Sequence, residues 1–229
     1  MTRTSAFLVG TLGCSLVACG QPRMQVPPEI SAKSEVLEAT DRSAWSGALA
    51  DESFQLGPYA VKEVDRDWDS SSGVAVGGIS HEEGEGGYAY QFEGKGKKEA
   101  GRCVTGKTDT GVALGSGFAL EFQFSKLACS CGAGGGKEAT VLVKSEGGKF
   151  TGSLTTSGGT YPMRSVHELE GGSTVEQPTG YRMDGETVGA AEVTHPGRVW
   201  LDKSLAGEER IEIACLFAGL MLYKPKSND

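Results

Sequence analysis

The sequence predicts a mainly β fold: an antiparallel barrel or sandwich of about ten or more strands, with a buried hydrophobic helix near the C-terminus. The first observation is that short segments alternate apolar and polar residues, as strands with one buried face do. The second is that glycine is abundant, at 35 of 229 residues, and clusters between these segments as it does in turns. The third is that residues 211–223 are apolar nearly all the way round a helical wheel.

The alternation that predicts strands is clearest at residues 118–124. Four apolar side chains fall on one face there, while Glu121 and Gln123 fall on the other. Residues 88–92 repeat the pattern with aromatic side chains inward. The further predicted strands are 59–64, 73–79, 140–144, 149–155, 163–169, 188–194 and 198–201. Because glycine-rich turns separate these strands and the sequence has no exact internal repeat, a barrel or a sandwich is favoured over a propeller.

The apolar run near the C-terminus predicts a helix that the rest of the protein encloses. Glu208 and Glu209 precede the run and complement the positive end of a helix, while Pro225 after it supplies a stop. The run is shorter than the ~20 apolar residues that a membrane-spanning helix needs. A helix that is apolar on every side must then be buried in protein.

Residues 1–18 have the features of a secretory signal peptide, with Arg3 near the start and an apolar stretch from residue 6 to Ala18. The sequence Leu-Val-Ala-Cys at residues 16–19 resembles the lipobox of bacterial lipoproteins. The resemblance implies cleavage before Cys19 and acylation of its sulfur and new amino group, which is sufficient for lasting membrane attachment. Gly20 rather than aspartate follows the cysteine, and by the same resemblance this implies the outer membrane.

The rest of the chain divides into a tether and one domain. Residues 19–44 are predicted to be a lipidated N-terminus and a flexible tether, because Pro22, Pro27 and Pro28 interrupt a polar stretch. Residues 45–229 are predicted to form a single β-rich domain, since 38% hydrophobic content supports one modest core. A formal net charge of -8 argues against nucleic-acid binding, which needs clustered lysine and arginine. We expect the mature chain to be a monomer.

Four cysteines remain once Cys14 in the signal and Cys19 at the lipid are set aside: Cys103, Cys129, Cys131 and Cys215. An even number in an oxidising compartment favours disulfide bonds. Because a bridge between Cys129 and Cys131 would close a strained ring, Cys103 and Cys215 are each expected to pair with one of them. A four-cysteine zinc site normally has wider spacing, and a redox-active pair normally has a positive neighbour, so both alternatives are less favoured.

Few residues suggest a catalytic or metal site. Asp65, Asp67 and Asp69 resemble the start of a calcium loop, although Ser70 and Val76 stand where glycine and glutamate are required. Calcium is the one cofactor that the sequence suggests, and the alternative is an acidic strand end in water. The three histidines are His81, His167 and His195, and they show no metal-ligand spacing and are expected at the surface.

The C-terminal part of the chain resembles the tubby-like superfamily, which includes tubby and the phospholipid scramblases. The resemblance lies in residues 180–189, 197–200 and 211–223, which are similar to the last strands and the central helix of that fold. It implies a many-stranded antiparallel barrel closed by a hydrophobic C-terminal helix. Tubby binds phosphoinositides through basic side chains, and here only Lys95, Lys97 and Lys98 form a cluster, so that function is not carried over.

These features favour a non-enzymatic envelope lipoprotein that binds or scaffolds a partner, either an envelope protein or a polysaccharide. Its lipid would attach it to the bacterial outer membrane. One alternative is a cell-envelope hydrolase, for which a concave pocket with convergent titratable groups would be evidence. The other is a carrier of a lipid or a small apolar ligand, for which an empty apolar cavity beside the helix would be evidence.

Overall fold

The computed structural model describes residues 21–43, 52–66, 84–106, 112–113, 119–120, 126–132, 138–146, 148–205 and 207–223. Twelve of the strands in these ranges form a closed antiparallel barrel, so the predicted fold class is confirmed as a barrel. The elements are α1 (Pro28–Lys33), β1 (Ser34–Thr40), β2 (Phe54–Leu56), β3 (Tyr59–Asp65), β4 (Gly84–Gly94), β5 (Lys97–Gly106), β6 (Val112–Ala113), β7 (Ala119–Leu120), β8 (Lys126–Gly132), β9 (Ala139–Glu146), β10 (Lys149–Thr155), β11 (Thr160–Val166), β12 (Gly180–Met183), β13 (Gly189–Glu192), β14 (Arg198–Asp202) and α2 (Gly207–Leu222).

Around the barrel the strand order is β1, β14, β13, β12, β11, β10, β9, β8, β5, β4, β3 and β2. The first strand closes the barrel because it pairs with β14 on one side, where Val36 lies opposite Trp200, and with β2 on the other. Most neighbours follow one another in the chain, as expected for strands joined by short turns. Strands β6 and β7 pair with each other in a separate two-stranded sheet.

Most predicted strands coincide with observed ones, apart from those predicted at residues 118–124 and 73–79. Of the strand predicted over 118–124, the described residues Ala119–Leu120 form β7, which pairs with β6 in the separate sheet. Residues 121–125 and the strand predicted over 73–79 lie outside the described residues. The predicted helix over 211–223 is confirmed as α2. Within the described ranges, no helix has both the length and the hydropathy needed to cross a membrane.

The barrel encloses α2, and this helix is the centre of the hydrophobic core. Twelve of its sixteen residues are buried, and they lie on every side of the helix. It contacts β5, β8 and β9 on one side and β13 and β14 on another. Aromatic side chains that alternate along β4, namely Tyr88, Tyr90 and Phe92, are buried in the same core cluster as the helix. The side chains of the helix therefore fill the barrel interior.

Two glycines allow the helix to approach the barrel wall closely. A Cβ atom at Gly219 would lie 2.6 Å from the Tyr90 hydroxyl and 2.9 Å from Cys103 Sγ. A Cβ atom at Gly101, which lies opposite Tyr90 in the register, would lie 2.1 Å from the Tyr90 ring. The ring thus covers the glycine of the neighbouring strand and reaches the helix through the space that both glycines leave.

The predicted tether over residues 19–44 is wrong for the part that the structure describes. Strand β1 belongs to the barrel, and Leu37 and Ala39 face its core. The preceding residues lie against the outer wall of the barrel, where Met24 and Ile30 are buried in a second hydrophobic cluster with Val166, Val188, Ala190 and Trp200. The domain therefore begins well before residue 45, because burial of these apolar side chains offsets the entropy cost of ordering the segment.

Candidate functional site

The first place to look for a ligand site is the barrel interior, and α2 occupies it. The Cys131–Cys215 disulfide joins β8 to the middle of the helix. The Tyr88 hydroxyl donates to the Gly219 carbonyl at 2.9 Å, and the Tyr90 hydroxyl donates to the Cys215 carbonyl at 2.8 Å. In addition to the apolar packing around the helix, one covalent bond and two buried hydrogen bonds thus fix it to the barrel wall.

The N-terminal end of α2 carries acidic side chains that bind the neighbouring barrel turn. Glu209 Oε1 accepts hydrogen bonds from the Tyr161 hydroxyl at 2.5 Å and from the Thr156 hydroxyl at 2.9 Å. The hydrogen bond to Glu209, together with burial, raises the pKa of Tyr161. Glu212 accepts from the backbone nitrogen and the hydroxyl of Ser157. These acids suit the positive end of the helix dipole and connect it to the β10–β11 turn.

The C-terminal end of α2 is capped by two arginines. Arg42 donates to the Met221 carbonyl at 2.5 Å, and Arg66 donates to the Leu222 carbonyl at 2.7 Å. Burial lowers the pKa of Arg42 to about 10, a value at which the guanidinium is still charged at neutral pH. Positive charge at the last carbonyls complements the helix dipole. Both ends of the helix are therefore bound by side chains whose charge is opposite to that of the helix dipole at that end.

A third polar cluster lies on the outer wall, where the N-terminal segment meets β13 and β14. Glu192 is fully buried and accepts hydrogen bonds from Arg23 at 3.0 Å, from the Met24 backbone nitrogen at 2.7 Å and from Arg198 at 2.8 Å. Burial lowers the pKa of Arg198, but the hydrogen bonds to Glu192 and Glu170 outweigh it and hold the pKa above its ordinary value. Hydrogen bonds from Arg23, the Met24 backbone nitrogen and Arg198 to one buried carboxylate join the segment to the wall, so the cluster has a structural role.

The same N-terminal segment forms one side of a groove on the outer wall, which we call the outer groove. It has a volume of about 350 Å³, within the range of small-ligand sites. One side is formed by Gln25, Pro27 and Pro28. The floor and the other side are formed by Arg164, Ser165, Val166, Glu168 and Arg182 of the β11–β12 region. Unlike the barrel interior, this space is open to solvent and carries charged side chains.

Two arginines stand side by side at one end of the outer groove. Arg164 and Arg182 are register partners on β11 and β12. Both bind the carboxylate of Asp184, Arg164 Nε at 2.8 Å and Arg182 Nε at 3.2 Å. Because one carboxylate is shared by two guanidinium groups, this end of the groove keeps a net positive charge. The arrangement attracts an anionic group.

A serine and a histidine also meet beside this groove. The Ser165 hydroxyl lies 2.8 Å from His167 Nε2, and His167 Nδ1 lies 3.2 Å from the Val175 carbonyl oxygen. Since a carbonyl only accepts, Nδ1 carries the proton, and in the neutral ring the hydroxyl donates to Nε2. The Ser165 oxygen also accepts from the Phe150 backbone nitrogen at 3.0 Å. The contacts connect β11 to the loop that follows it, and they also have the geometry of a nucleophile and its base.

The cysteine predictions are confirmed. Cys103 pairs with Cys129, which lies directly opposite it on the neighbouring strand, and Cys131 pairs with Cys215. Among the described residues, no group of three or more His, Cys, Asp or Glu side chains is arranged to hold a metal ion. Of the aspartates proposed for calcium, Asp65 ends β3, and Asp67 and Asp69 lie outside the described residues, as do Cys19 and His81.

The remaining predicted residues are at the surface or half-buried. Lys95, Lys97 and Lys98 are exposed around the β4–β5 turn, and the last two lie 3.4 Å from the carboxylates of Glu208 and Glu93. His195 is half-buried, and burial, reinforced by the positive charges of Arg42 and Arg23, lowers its pKa. The outer groove was not predicted, because it is assembled from the 25–28 segment and two strands more than 130 residues away in the chain.

Comparison with known proteins gives no family for the chain: no protein-family model, no curated protein and no solved structure matches it.

Proposed function

We propose that the protein is a lipoprotein of the bacterial cell envelope, attached to the outer membrane through Cys19, and that it acts as a non-enzymatic binding or scaffold module. The observation that carries the second part is the helix inside the barrel. Because α2 fills the interior and is fixed at its middle and at both ends, a partner has to bind the outside of the barrel.

Three further observations support the location. The residues before Cys19 resemble the lipobox pattern, and the net negative charge keeps an envelope domain soluble and away from anionic lipid headgroups. Two disulfides are typical of an oxidising compartment such as the bacterial periplasm. The tubby-like resemblance also implied a barrel around a C-terminal helix, and an evolutionary relation to that superfamily is part of this proposal.

The membrane part of the proposal is tested with Cys19→Ser and, as a matched control, Cys14→Ser. In bacterial cells grown with a labelled fatty acid, we expect the unchanged chain and Cys14→Ser to incorporate the label and to fractionate with the outer membrane. Cys19→Ser should remain an unlabelled precursor. Incorporation of the label into Cys19→Ser would contradict lipid attachment at this residue.

The binding part is tested with photo-reactive residues placed singly on the barrel. We expect crosslinks to envelope partners in intact cells from outward positions such as Arg164, and none from the buried position Leu216. A lipid or apolar molecule that co-purifies with the protein in equal amount would instead favour the carrier alternative.

A hydrolase is the second candidate, and one observation favours it: the contact of 2.8 Å between Ser165 and His167. Among the described residues the imidazole has a backbone carbonyl behind it, where many serine hydrolases have a carboxylate. A fluorophosphonate probe tests this alternative, since it labels activated serines. Labelling that is lost in Ser165→Ala and reduced in His167→Gln would establish the hydrolase and overturn the non-enzymatic proposal.

A further inference from the structure

The outer groove has opposite charges at its two ends. Arg164 and Val166 are alternate residues of β11 and share a face, and Glu168 lies two residues beyond the end of the strand, where it forms an isolated bridge with Thr174. Arg164 and Arg182 form the positive end with Asp184, while Glu168 forms the negative end. At about 3.3 Å per residue, four steps along extended chain place the two ends roughly 13 Å apart.

The middle of the outer groove is apolar, with one amide at its side. Val166 is almost fully buried and forms the floor, and the rings of Pro27 and Pro28 form one side. The side chain of Gln25 lines the same side and offers both a donor and an acceptor. This pattern fits a short chain that carries small apolar groups and amide groups between two charged ends.

We propose that the outer groove binds a short peptide that has a free carboxylate at one end and a free ammonium group at the other. The carboxylate would bind the Arg164–Arg182 pair, whose planar guanidinium groups match a carboxylate geometrically. The ammonium group would bind Glu168. At no more than ~3.3–3.6 Å per residue, a separation of about 13 Å corresponds to roughly four residues. This proposal rests on the proposed function, because it takes the outside of the barrel as the binding surface.

The test is isothermal titration calorimetry with the full chain in detergent and three forms of tetra-alanine. We expect the form with both ends free to bind best. Amidation of its C-terminus should weaken binding by about tenfold or more, because it removes the charge that the arginines recognise. Acetylation of its N-terminus should weaken binding by roughly threefold to tenfold, because Glu168 is exposed and its ion pair is screened by water.

Variants assign each end of the peptide to its side chain. Arg182→Gln should weaken binding of the free peptide but have little effect on the amidated one, and Glu168→Gln should do the same with the acetylated one. Lys144→Gln, an exposed change on β9, is the control and should leave binding unchanged. Equal effects of a variant on the free and the blocked peptide would contradict the assignment of that end.

Two other outcomes would overturn the proposal. If acetate or inorganic phosphate competes as well as the peptide does, the groove is a simple anion site. If the free peptide shows no binding while Cys19-dependent labelling and outward crosslinks are observed, the peptide proposal fails and the proposed function stands.

The opposite result would separate the two proposals in the other direction. If the peptide binds but the Cys19 label is absent, the lipid attachment fails and the groove assignment stands.

Discussion

Replacing Glu192 with glutamine tests whether a buried carboxylate fixes the N-terminal segment to the barrel. Glu192 is fully buried and accepts four hydrogen bonds, two of them from Arg198 Nε and Nη2 at 2.8 and 3.2 Å. The other two come from Arg23 Nη1 at 3.0 Å and from the Met24 backbone nitrogen at 2.7 Å. Glutamine has nearly the same shape, but it has no charge and its amide nitrogen donates, so it faces these donors with a donor.

We expect Glu192→Gln to lower the free energy of unfolding by about 2–3 kcal/mol. Removing one partner of a buried ion pair costs roughly 3–5 kcal/mol. The side chains of Arg23 and Arg198 are 27% and 18% exposed, so water compensates for part of this loss. For a chain of this size each kcal/mol corresponds to about 2–4 °C, so the melting temperature should fall by about 4–12 °C.

The assay is urea denaturation of the full chain in detergent, followed by hydrogen exchange of residues 21–33. The matched control is Glu170→Gln, because Glu170 binds the same Arg198 at 3.0 Å but is 57% exposed. The control should change stability by less than ~0.5 kcal/mol. If Glu192→Gln loses no more stability than the control, or if exchange at residues 21–33 is unchanged, the buried carboxylate does not fix the segment.

Three further predictions concern the core and its surroundings. Leu216→Asp should prevent folding as measured by circular dichroism, because a charge in the centre of the barrel costs several kcal/mol. The control is Lys97→Ala at an exposed position, which should lower the free energy of unfolding by less than ~0.5 kcal/mol. Gly219→Ala should lower the free energy of unfolding in urea by about 1–3 kcal/mol, since its methyl group would lie 2.6 Å from the Tyr90 hydroxyl. Gly219→Ala should cost less stability in a Tyr90→Phe background than in the unchanged chain, because the hydroxyl that the methyl group meets is absent there; an equal cost in both backgrounds would place the clash elsewhere. The folded protein binds a proton at His195 less readily than the unfolded chain does, so the free energy of unfolding should decline as the pH falls below about 6.5. His195→Gln should make this decline less steep. An unchanged slope of stability against pH would contradict this prediction.

The parts of the fold that the sequence predicted are those where one chemical signal dominates. The central helix was predicted because residues 211–223 are apolar on every side, and the structure buries that run in the barrel. Strand β4 was predicted because aromatic side chains occupy every second position at Tyr88, Tyr90 and Phe92, and the structure buries all three. In both cases the burial pattern alone specifies the element.

Two of the strands that sequence reasoning missed, β1 and β5, have small or polar side chains on the inner face. In β1 the face that carries the inward Leu37 and Ala39 also carries the charged Glu35, while Val36 on the opposite face is 43% exposed, so the alternation is obscured. In β5 the inward Gly101 has no side chain, and the ring of Tyr90 from the neighbouring strand fills its place. Such positions depend on a residue elsewhere in the chain, so a local pattern does not reveal them.

The dependence on residues far away in the chain also explains why the sequence limited the cysteine pairings to two but did not reveal the outer groove. Residue spacing excluded a Cys129–Cys131 bridge and thereby left two pairings, of which the register of β5 and β8 selects one. The groove depends on the contact between residues 25–28 and the β11–β12 strands, and no local feature of either segment indicates that contact.

The position of Met24 limits how far the barrel can lie from Cys19. Met24 lies against Gly180, pairs with Leu169 and donates its backbone N–H to Glu192, so the chain is fixed to the outer wall at this residue. Met24 is the fifth residue after Cys19, and extended chain covers no more than about 18 Å over those five steps. A free tether from Cys19 to residue 44 would have allowed about 90 Å. With a lipid on Cys19, the domain would therefore rest next to the bilayer surface, and a ligand of the outer groove, whose side is formed by residues 25–28, would be taken up close to that surface.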